Sequence, residues 1–352
     1  MSEVFWSAQD TSPSAIEAAL RDLLHRRYRE SPGFVPARVM NLVVIVDRAF
    51  RGEVENRLAR VGRYHPSRLI VCAVEPGRRT LDAVATVAAG DDGARPGDVD
   101  VGRERVEIDL GPRQLSRLET VVDPLVVSDL ATMVWAPHGH DEGVEALRRL
   151  ANVVLVDSQD PPDPAGAFAR ALDLTRSAYV VDLAWLRSTP WRERVAAAFD
   201  PPPLRRSLGE IDRVGVRHRE DSVAAGALFC GWMASRLGWR PESLGRRGRN
   251  LHGHSRARRH EVTIDLEPVE LGAPGLAGVT IEMASGAAVS LERGTGGLRA
   301  RRRLPDGTER TWTVLGASRG EAGILGEGVR QALLRDSTYA PALRAAKELV
   351  HR

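Results

Sequence analysis

The chain has 352 residues, of which 43% are apolar and 28% are charged, so we expect a packed core and enough length for two domains. Among its 50 basic residues Lys347 is the only lysine, which argues against enzymes that need a lysine in a phosphate-binding loop or as a Schiff base. The formal net charge of +3 is small for a polyanion binder, so we expect no nucleic-acid partner.

The first half of the chain alternates helices with short apolar strands. A capping-box pattern at Ser14 and Glu17 predicts the start of a first helix that ends before Pro32. Segments that are apolar nearly throughout predict strands buried on both faces, as in a parallel sheet, at 39–46, 68–74, 133–135 and 153–156. We also predict helices at 52–62, 141–150 and in parts of 112–127, a loop at 75–103 and an edge strand at 105–110. This alternation predicts an N-terminal doubly wound, mostly parallel α/β domain over residues 1–160.

The second half follows a proline-rich segment at 160–164 and changes its pattern. The sequence predicts a helix at 165–174, a strand at 178–182, a helix from Thr189, a buried helix at 221–237 and a mobile loop at 245–260. From Glu261 onward apolar and polar residues alternate in short stretches separated by turns, and two helices follow. We therefore predict a second, α+β domain over residues 165–352 that contains an antiparallel meander with one solvent-exposed face.

Several motifs resemble catalytic or metal sites, but for each of them we favour a purely structural role. Residues 316–320 match the GxSxG nucleophile pattern, yet Ser318 and Glu321 also form a helix-capping pair. The downstream candidates for the acid and the histidine of a triad are Asp336 and only His351, the penultimate residue. The His-Gly-His segments at 138–140, followed by Asp141 and Glu142, and at 252–254 are weak as metal sites, because a metal needs three or four convergent ligands and neither segment has cysteine neighbours. The chain contains no GxGxxG motif. We therefore predict no catalytic residues, no metal and no cofactor.

The two cysteines and the chain termini bear on the cellular location. Cys72 and Cys230 fall in apolar segments and are interpreted as small core residues, which suits a reducing compartment. We find no signal peptide and no apolar stretch of about 18 residues, so we expect a cytoplasmic protein with no membrane partner.

The alternating arginines at 299–303 are interpreted as a solvated strand face rather than a phosphate site.

Two segments are unusual for a simple scaffold. Segment 64–68 contains His65 and Arg68. Segment 182–192 contains two tryptophans and two arginines around a predicted helix start, with Thr189 as the N-cap and Pro190 as the first helical residue. Tryptophan and arginine dominate the energetics of protein interfaces, although tryptophans at such a turn also wedge a helix onto a sheet. A helix turns by about 100° per residue, so we expect Arg192 to point away from a buried Trp191 and to reach a partner. The candidate partner-binding residues are His65, Arg68, Trp185, Arg187, Trp191 and Arg192.

These same segments resemble a known family. The sequences ARVMNLVVIVD, HPSRLIV, VVDPLVVSDLATMVWAP, VVLVDS and above all DLAWLRSTPWRERVAAAFD occur between residues 37 and 200 in the order found in the glucose-6-phosphate dehydrogenase assembly protein family, OpcA. Ser188 stands where that family usually has an apolar residue. The resemblance implies a non-catalytic protein that binds glucose-6-phosphate dehydrogenase, promotes its active oligomer and so regulates the oxidative pentose phosphate pathway.

Two alternatives belong to other functional classes. The first is a sugar-phosphate or nucleotide-sugar enzyme on an α/β fold that uses arginines as anion ligands, which requires a pocket with convergent arginines and a carboxylate or histidine of shifted pKa. The second is nucleic-acid binding through 245–260 and the arginines at 299–303, which the small net charge disfavours.

Overall fold

A computed structural model describes residues 3–31, 33–36, 38–61, 66–88, 100–315, 320–331 and 334–351. Within these residues the chain forms two mixed nine-stranded sheets with helices packed against them. The first sheet has a parallel centre and the second ends in an antiparallel meander, so the predicted fold class is confirmed.

The strands of the first sheet lie between residues 3 and 182. Its strands are β1 (Glu3–Ala8), β2 (Phe34–Pro36), β3 (Met40–Asp47), β4 (Ser67–Val74), β5 (Asp82–Ala88), β6 (Asp100–Leu110), β7 (Thr132–Trp135), β8 (Val153–Val156) and β9 (Tyr179–Asp182). The helices in this part of the sequence are α1 (Pro13–Glu30), α2 (Arg51–Val61), α3 (Leu118–Val122), α4 (Asp141–Ala146) and α5 (Pro164–Leu174).

The strand order of the first sheet is β1-β5-β6-β4-β3-β7-β8-β9, with β2 paired to one end of β6. The pairs from β6 to β8 are parallel, and β5 is antiparallel to both β1 and β6. Residues 40–46 of β3 are buried without interruption, as expected for a central parallel strand. The one polar side chain among them, Asn41, donates through Nδ2 to the carbonyl of Val127 at 3.0 Å, which satisfies its amide in the core.

Three expectations for the first half are wrong. Strand β6 is not an edge strand, because β4 and β5 flank it. The segment 75–103, predicted as a loop, contains β5, whereas its residues 89–99 lie outside the described chain. The N-cap of α1 is Ser12 rather than Ser14, and its Oγ accepts the N–H of Ala15 at 3.3 Å.

The strands of the second sheet lie between residues 211 and 315. The remaining strands are β10 (Ile211–Arg219), β11 (Arg240–Pro241), β12 (Gly245–Arg247), β13 (Asn250–Arg256), β14 (Glu261–Val269), β15 (Leu276–Met283), β16 (Ala288–Gly294), β17 (Gly297–Arg303) and β18 (Glu309–Leu315). The remaining helices are α6 (Leu183–Arg187), α7 (Thr189–Phe199), α8 (Pro202–Arg205), α9 (Val223–Leu237), α10 (Gly320–Gln331) and α11 (Tyr339–Val350).

The strand order of the second sheet is β11-β13-β14-β10-β15-β16-β17-β18, with β12 paired to β13. Among the described strands of this sheet, only β10 and β14 pair in parallel. The antiparallel run from β15 to β18 confirms the predicted meander. Helix α9 covers one face, and a Cβ on its Gly226 would lie 3.3 Å from the ring of His218. A Cβ on Gly231 would lie 2.3 Å from the carbonyl oxygen of Ala342 in α11, so glycine allows these two helix backbones to approach closely.

Two expectations for the second half are also wrong. Residues 245–260, predicted as a mobile loop, contain β12 and β13, which form one end of the sheet. Helix α7 does begin at Thr189, but the residue in the N-cap position is Ser188.

The described chain divides into two compact units that interleave along the sequence. The first takes residues 1–156, 177–181 and 321–334, and the second takes 157–176, 182–320 and 335–352. The division into an N-terminal domain at 1–160 and a C-terminal domain at 165–352 stays a prediction. No helix among the described residues is long and apolar enough to cross a membrane.

Candidate partner-binding site

Segment 182–192 folds as two short helices, α6 and α7, that meet at Ser188. Asp182 caps α6, with its Oδ1 accepting the first-turn N–H of Ala184 at 2.9 Å. Ser188 Oγ donates to the carbonyl of Trp185 at 2.7 Å, and Pro190 occupies the first turn of α7, where its missing N–H is not needed. The sequence thus fixes both helix starts and the break between them.

The indole of Trp185 lies at the centre of this segment and is only 2% exposed. Its Nε1–H donates to Oδ2 of Asp336 at 2.8 Å, and its ring lies 5.6 Å from that of Tyr339 in α11. The guanidinium of Arg192 lies over the same ring, with Cζ 3.4 Å from the centroid. Trp185 therefore joins α6, α7 and the start of α11 into one packed block.

Arg192 does not point away from this block, so the expectation that it escapes burial is wrong. The residue is 8% exposed. Its side chain folds back over the preceding turn, where Nε donates to Ser188 Oγ at 3.1 Å and Nη2 donates to Thr189 Oγ1 at 2.9 Å and to the Trp185 carbonyl at 3.2 Å. Burial lowers its pKa to about 10, against the opposing charges of Asp336 and Glu193. The helical angle sets the direction of the Cα–Cβ bond, but the long side chain of Arg192 bends so that its guanidinium lies over the preceding turn.

Arg187 forms a two-pronged ion pair with Asp157. Nη1 lies 2.9 Å from Oδ1 and Nη2 lies 2.6 Å from Oδ2, and the two side chains are 8% and 7% exposed. This parallel geometry is the one in which guanidinium and carboxylate groups bind most strongly. Arg187 therefore anchors the end of α6 to the segment after β8.

Asp182 is a second buried carboxylate beside the same segment. Its Oδ2 accepts hydrogen bonds from Ser158 Oγ at 2.5 Å and from the Tyr339 hydroxyl at 2.9 Å. Burial raises the pKa of Asp182, as does the charge of Asp157, whereas these hydrogen bonds lower it. The four donors to this carboxylate, which include two backbone N–H groups, make it a structural junction between α6, α11 and the Ser158 turn.

Sequence reasoning missed the acidic and tyrosine members of this block. Asp157 follows β8 directly and Asp182 ends β9, so an acid after an apolar strand was an available signal for both. Asp336 and Tyr339 lie about 150 residues beyond their partners, and nothing in the local sequence marks them. Their roles depend on the tertiary fold alone.

Of the six candidate residues, five fall within the described chain and His65 lies outside it. Trp185 and Trp191 are each 2% exposed, which favours the interpretation that the tryptophans pack inside. The side chains of Arg187 and Arg192 are occupied by the contacts above. Direct contact between these residues and a partner stays a prediction; in the chain alone they support the surface around the α6–α7 turn.

Arg68 belongs to the first unit and has partners of its own. It is 9% exposed, its Nε and Nη2 each lie 2.7 Å from Oε2 of Glu104, and its Nη1 donates to the carbonyl of Leu125 at 2.8 Å. Arg38 also binds Glu104. Burial lowers the pKa of Arg68, while Glu104 opposes that shift. Arg68 therefore fixes the start of β4 to its neighbours.

The remaining motifs behave as structural features where they are described. Cys72 and Cys230 are fully buried free thiols, and burial raises the pKa of Cys72 to about 12. His140 lies 3.1 Å from Asp47, and His252 lies 2.7 Å from Asp265. Within the described ranges no group of three or more potential ligands is placed to hold a metal ion. Ser318 lies outside those ranges.

Solved structures of similar arrangement include enzymes. A dehydrogenase from Chromobacterium violaceum is 13% identical with a TM-score of 0.45, over 88% of this chain and 94% of that one. A scyllo-inositol dehydrogenase from Lactobacillus casei is 10% identical with a TM-score of 0.45, over 89% of this chain and 96% of that one. Likeness at this level carries no conclusion about activity.

Relatives by sequence are more informative. A protein of Synechococcus elongatus named OxPP cycle protein OpcA is 28% identical over 66% of this chain and 54% of its own length. Proteins of the same name from Synechocystis and Nostoc punctiforme are 32% and 35% identical, each over 37% of this chain and under a third of their own lengths. The chain therefore spans about half of the Synechococcus relative, and less of the other two.

Two family models cover most of the chain. The model described as glucose-6-phosphate dehydrogenase subunit N-terminal domain matches residues 59–173, and the one described as the C-terminal domain of that subunit matches 178–343. The second match contains the whole α6–α7 turn and the residues Asp336 and Tyr339 that hold it. The chain belongs to the OpcA family of glucose-6-phosphate dehydrogenase assembly proteins.

Proposed function

We propose that the chain is a non-catalytic assembly factor and allosteric activator that binds the glucose-6-phosphate dehydrogenase of its own organism and promotes the active oligomer of that enzyme. It would act in the cytoplasm, in the oxidative pentose phosphate pathway. The observation that carries the proposal is the match of both subunit-domain models, which together run from residue 59 to 343 with a short gap.

The contacts of the α6–α7 turn support a scaffolding role. A catalytic acid, base or nucleophile must reach its substrate, whereas Arg187, Asp182 and Asp336 are bound by neighbouring side chains. Arg192 is buried against Trp185 in the same way. Such a block holds the shape of a surface, which is what a docking protein needs.

The energy required for activation is modest. If the dehydrogenase is active in one oligomeric arrangement, a partner that binds that arrangement more tightly shifts the population toward it. A several-fold change in apparent substrate affinity needs about 1–3 kcal/mol of differential binding. A few well-packed interface contacts supply this amount.

Steady-state kinetics test the proposal directly. The dehydrogenase from the same organism is assayed with and without a molar excess of this chain, and the mixture is run on size exclusion. We expect a lower KM for glucose 6-phosphate or a higher kcat, together with co-elution. Heat-denatured chain serves as the control, and unchanged kinetics without co-elution would contradict the proposal.

The alternative of a sugar-phosphate or nucleotide-sugar enzyme gains no support from the arginines around the shallow depression on the second sheet. That depression is lined in part by Arg213 and Arg217, which are paired with Asp265 at 2.9 Å and with Glu292 at 2.8 Å. Arginines paired in this way are already neutralised and do not converge on an anion. We therefore advance the assembly role alone.

A further inference from the structure

Strand β18 forms the outer end of the second sheet and is exposed along most of its length. Among the described residues it pairs with β17 only, and residues 309–313 are exposed on both faces of the strand. It begins with a charged pair, Glu309 and Arg310, but continues as Thr-Trp-Thr-Val-Leu. The uncharged part of this edge, residues 311–315, is rich in β-branched and aromatic residues and is suited to pairing with another strand.

The tryptophan of this edge is unusually accessible. Trp312 is 39% exposed, and Cζ of Arg302 lies 5.9 Å from the centroid of its ring. Arg302 also donates to the carbonyl of Ala198, near the end of α7. The β18 edge is therefore tied to the helix that begins at the α6–α7 turn. An exposed tryptophan held in place by a neighbour is a typical anchor of protein interfaces.

The opposite face beside this edge is strongly basic. The segment 297–315 contains five arginines against Asp306 and Glu309, so its formal charge of +3 equals that of the whole chain. Arg299, Arg301 and Arg303 share the exposed face of β17, and Thr311 and Thr313 on β18 lie beside the first two. Among the described residues Arg301 forms an ion pair with Glu309 at 3.6 Å. Glu292 of β16 lies opposite Arg299 in the register, but its carboxylate binds Arg217 at 2.8 Å and no ion pair joins it to Arg299 within the described residues.

We propose that the open edge of β18 accepts an extended segment of a partner protein as an added strand. Successive side chains of a strand point to opposite faces. On one face they would meet the arginines of β17, and on the other they would meet Trp312 and Val314. The segment is therefore one in which acidic and apolar residues alternate, with its backbone paired to β18. The inference rests on the proposed function in taking that segment to belong to the dehydrogenase.

The test uses the full chain and the purified dehydrogenase of the same organism. Dissociation constants are measured for wild type, for Trp312→Ala and for the double variant Arg299→Gln/Arg301→Gln. The matched control is Arg246→Gln/Arg247→Gln, which makes the same charge change on β12, another exposed strand at the far end of the sheet. Hydrogen–deuterium exchange of residues 309–315 is recorded with and without the dehydrogenase, with 245–247 as the reference edge.

We expect the complex to slow exchange in 309–315 and not in 245–247. Trp312→Ala should raise the dissociation constant about tenfold or more, the Arg299/Arg301 variant several-fold, and the control hardly at all. The Arg299→Gln/Arg301→Gln variant keeps the test valid if Trp312→Ala fails to fold.

Each other outcome overturns the inference in a recognisable way. If wild type binds but exchange and affinity are unchanged in the variants, docking occurs elsewhere and the proposed function stands. Equal losses in the variants and the control indicate non-specific charge. Tight binding of a single-stranded oligonucleotide that the Arg299/Arg301 variant loses indicates a nucleic-acid surface instead. If wild type does not bind the dehydrogenase, the proposed function fails together with the inference.

Discussion

Replacing Arg192 with alanine and with methionine separates the two contributions that its side chain makes to stability. Burial lowers the pKa of its guanidinium from the usual arginine value to about 10, which corresponds to about 3 kcal/mol against the charged form. The stack on Trp185 and the three hydrogen bonds are worth about 1 kcal/mol each and nearly cancel that penalty. The methylene groups, at about 0.8 kcal/mol each, are then the main net contribution.

We therefore expect Arg192→Ala to lower the free energy of unfolding by about 2–3 kcal/mol and Arg192→Met by about 1 kcal/mol or less. Urea denaturation at pH 7 measures both, with the slope against urea checked for constancy. Equal losses in the two variants would refute the reasoning about the methylenes. If Arg192→Met is as stable as wild type but no longer binds the dehydrogenase, the guanidinium itself contacts the partner and its role is not internal.

Two further predictions concern other buried groups. Trp185→Phe removes the indole donor to Asp336 and should lower the free energy of unfolding by about 1–2 kcal/mol. Burial alone would raise the pKa of Asp336, but hydrogen bonds from Thr338 and Trp185 and the charge of Arg192 hold it below its usual value. The stability that Asp336 contributes is therefore present above about pH 4 and is lost as the pH falls. Urea titrations from about pH 5 to 3 should show a weaker pH dependence of the unfolding free energy in Trp185→Phe than in wild type, and an identical dependence would contradict this. Cys72 and Cys230 are fully buried with raised pKa values, so iodoacetamide at pH 8 should label them only after unfolding; rapid labelling of the native chain would show that they are accessible.

The strands that could be predicted from sequence are those whose environment is uniform. β3 and β4 are covered on both faces, so their apolar segments are nearly unbroken. β6 misled because charged residues alternate along it, as they do along an exposed edge. In the fold Arg105 lies 2.6 Å from Glu55 of α2 and 2.5 Å from Glu107, so charged pairs between helix and sheet occupy a face that apolar residues would otherwise fill. The periodicity of a sequence shows which positions are polar, but it does not show whether water or another charged side chain binds them.

The candidate site shows the same limit at the level of side chains. The Trp and Arg content of 182–192 marked the segment, but the direction of Arg192 depends on a side chain that reverses over one helical turn. Ser188 is the residue that makes this possible, because its hydroxyl accepts from Arg192 while donating to the Trp185 carbonyl. An apolar residue at this position would leave the Nε of Arg192 without its acceptor.

The α6–α7 turn is connected to the start of α11 in a way that bears on how it can respond to a partner. Asp336 accepts from the indole of Trp185 and from the backbone N–H of Thr338 at 2.8 Å, while Tyr339 donates to Asp182. A displacement of the turn therefore breaks contacts at the beginning of α11, each worth about 1–3 kcal/mol when a charged group is involved. This equals the differential binding that allosteric activation requires. Under the proposed function, a block that stays rigid on docking would leave the full binding energy for shifting the oligomer of the dehydrogenase, whereas a turn that moved would use part of that energy to rearrange itself.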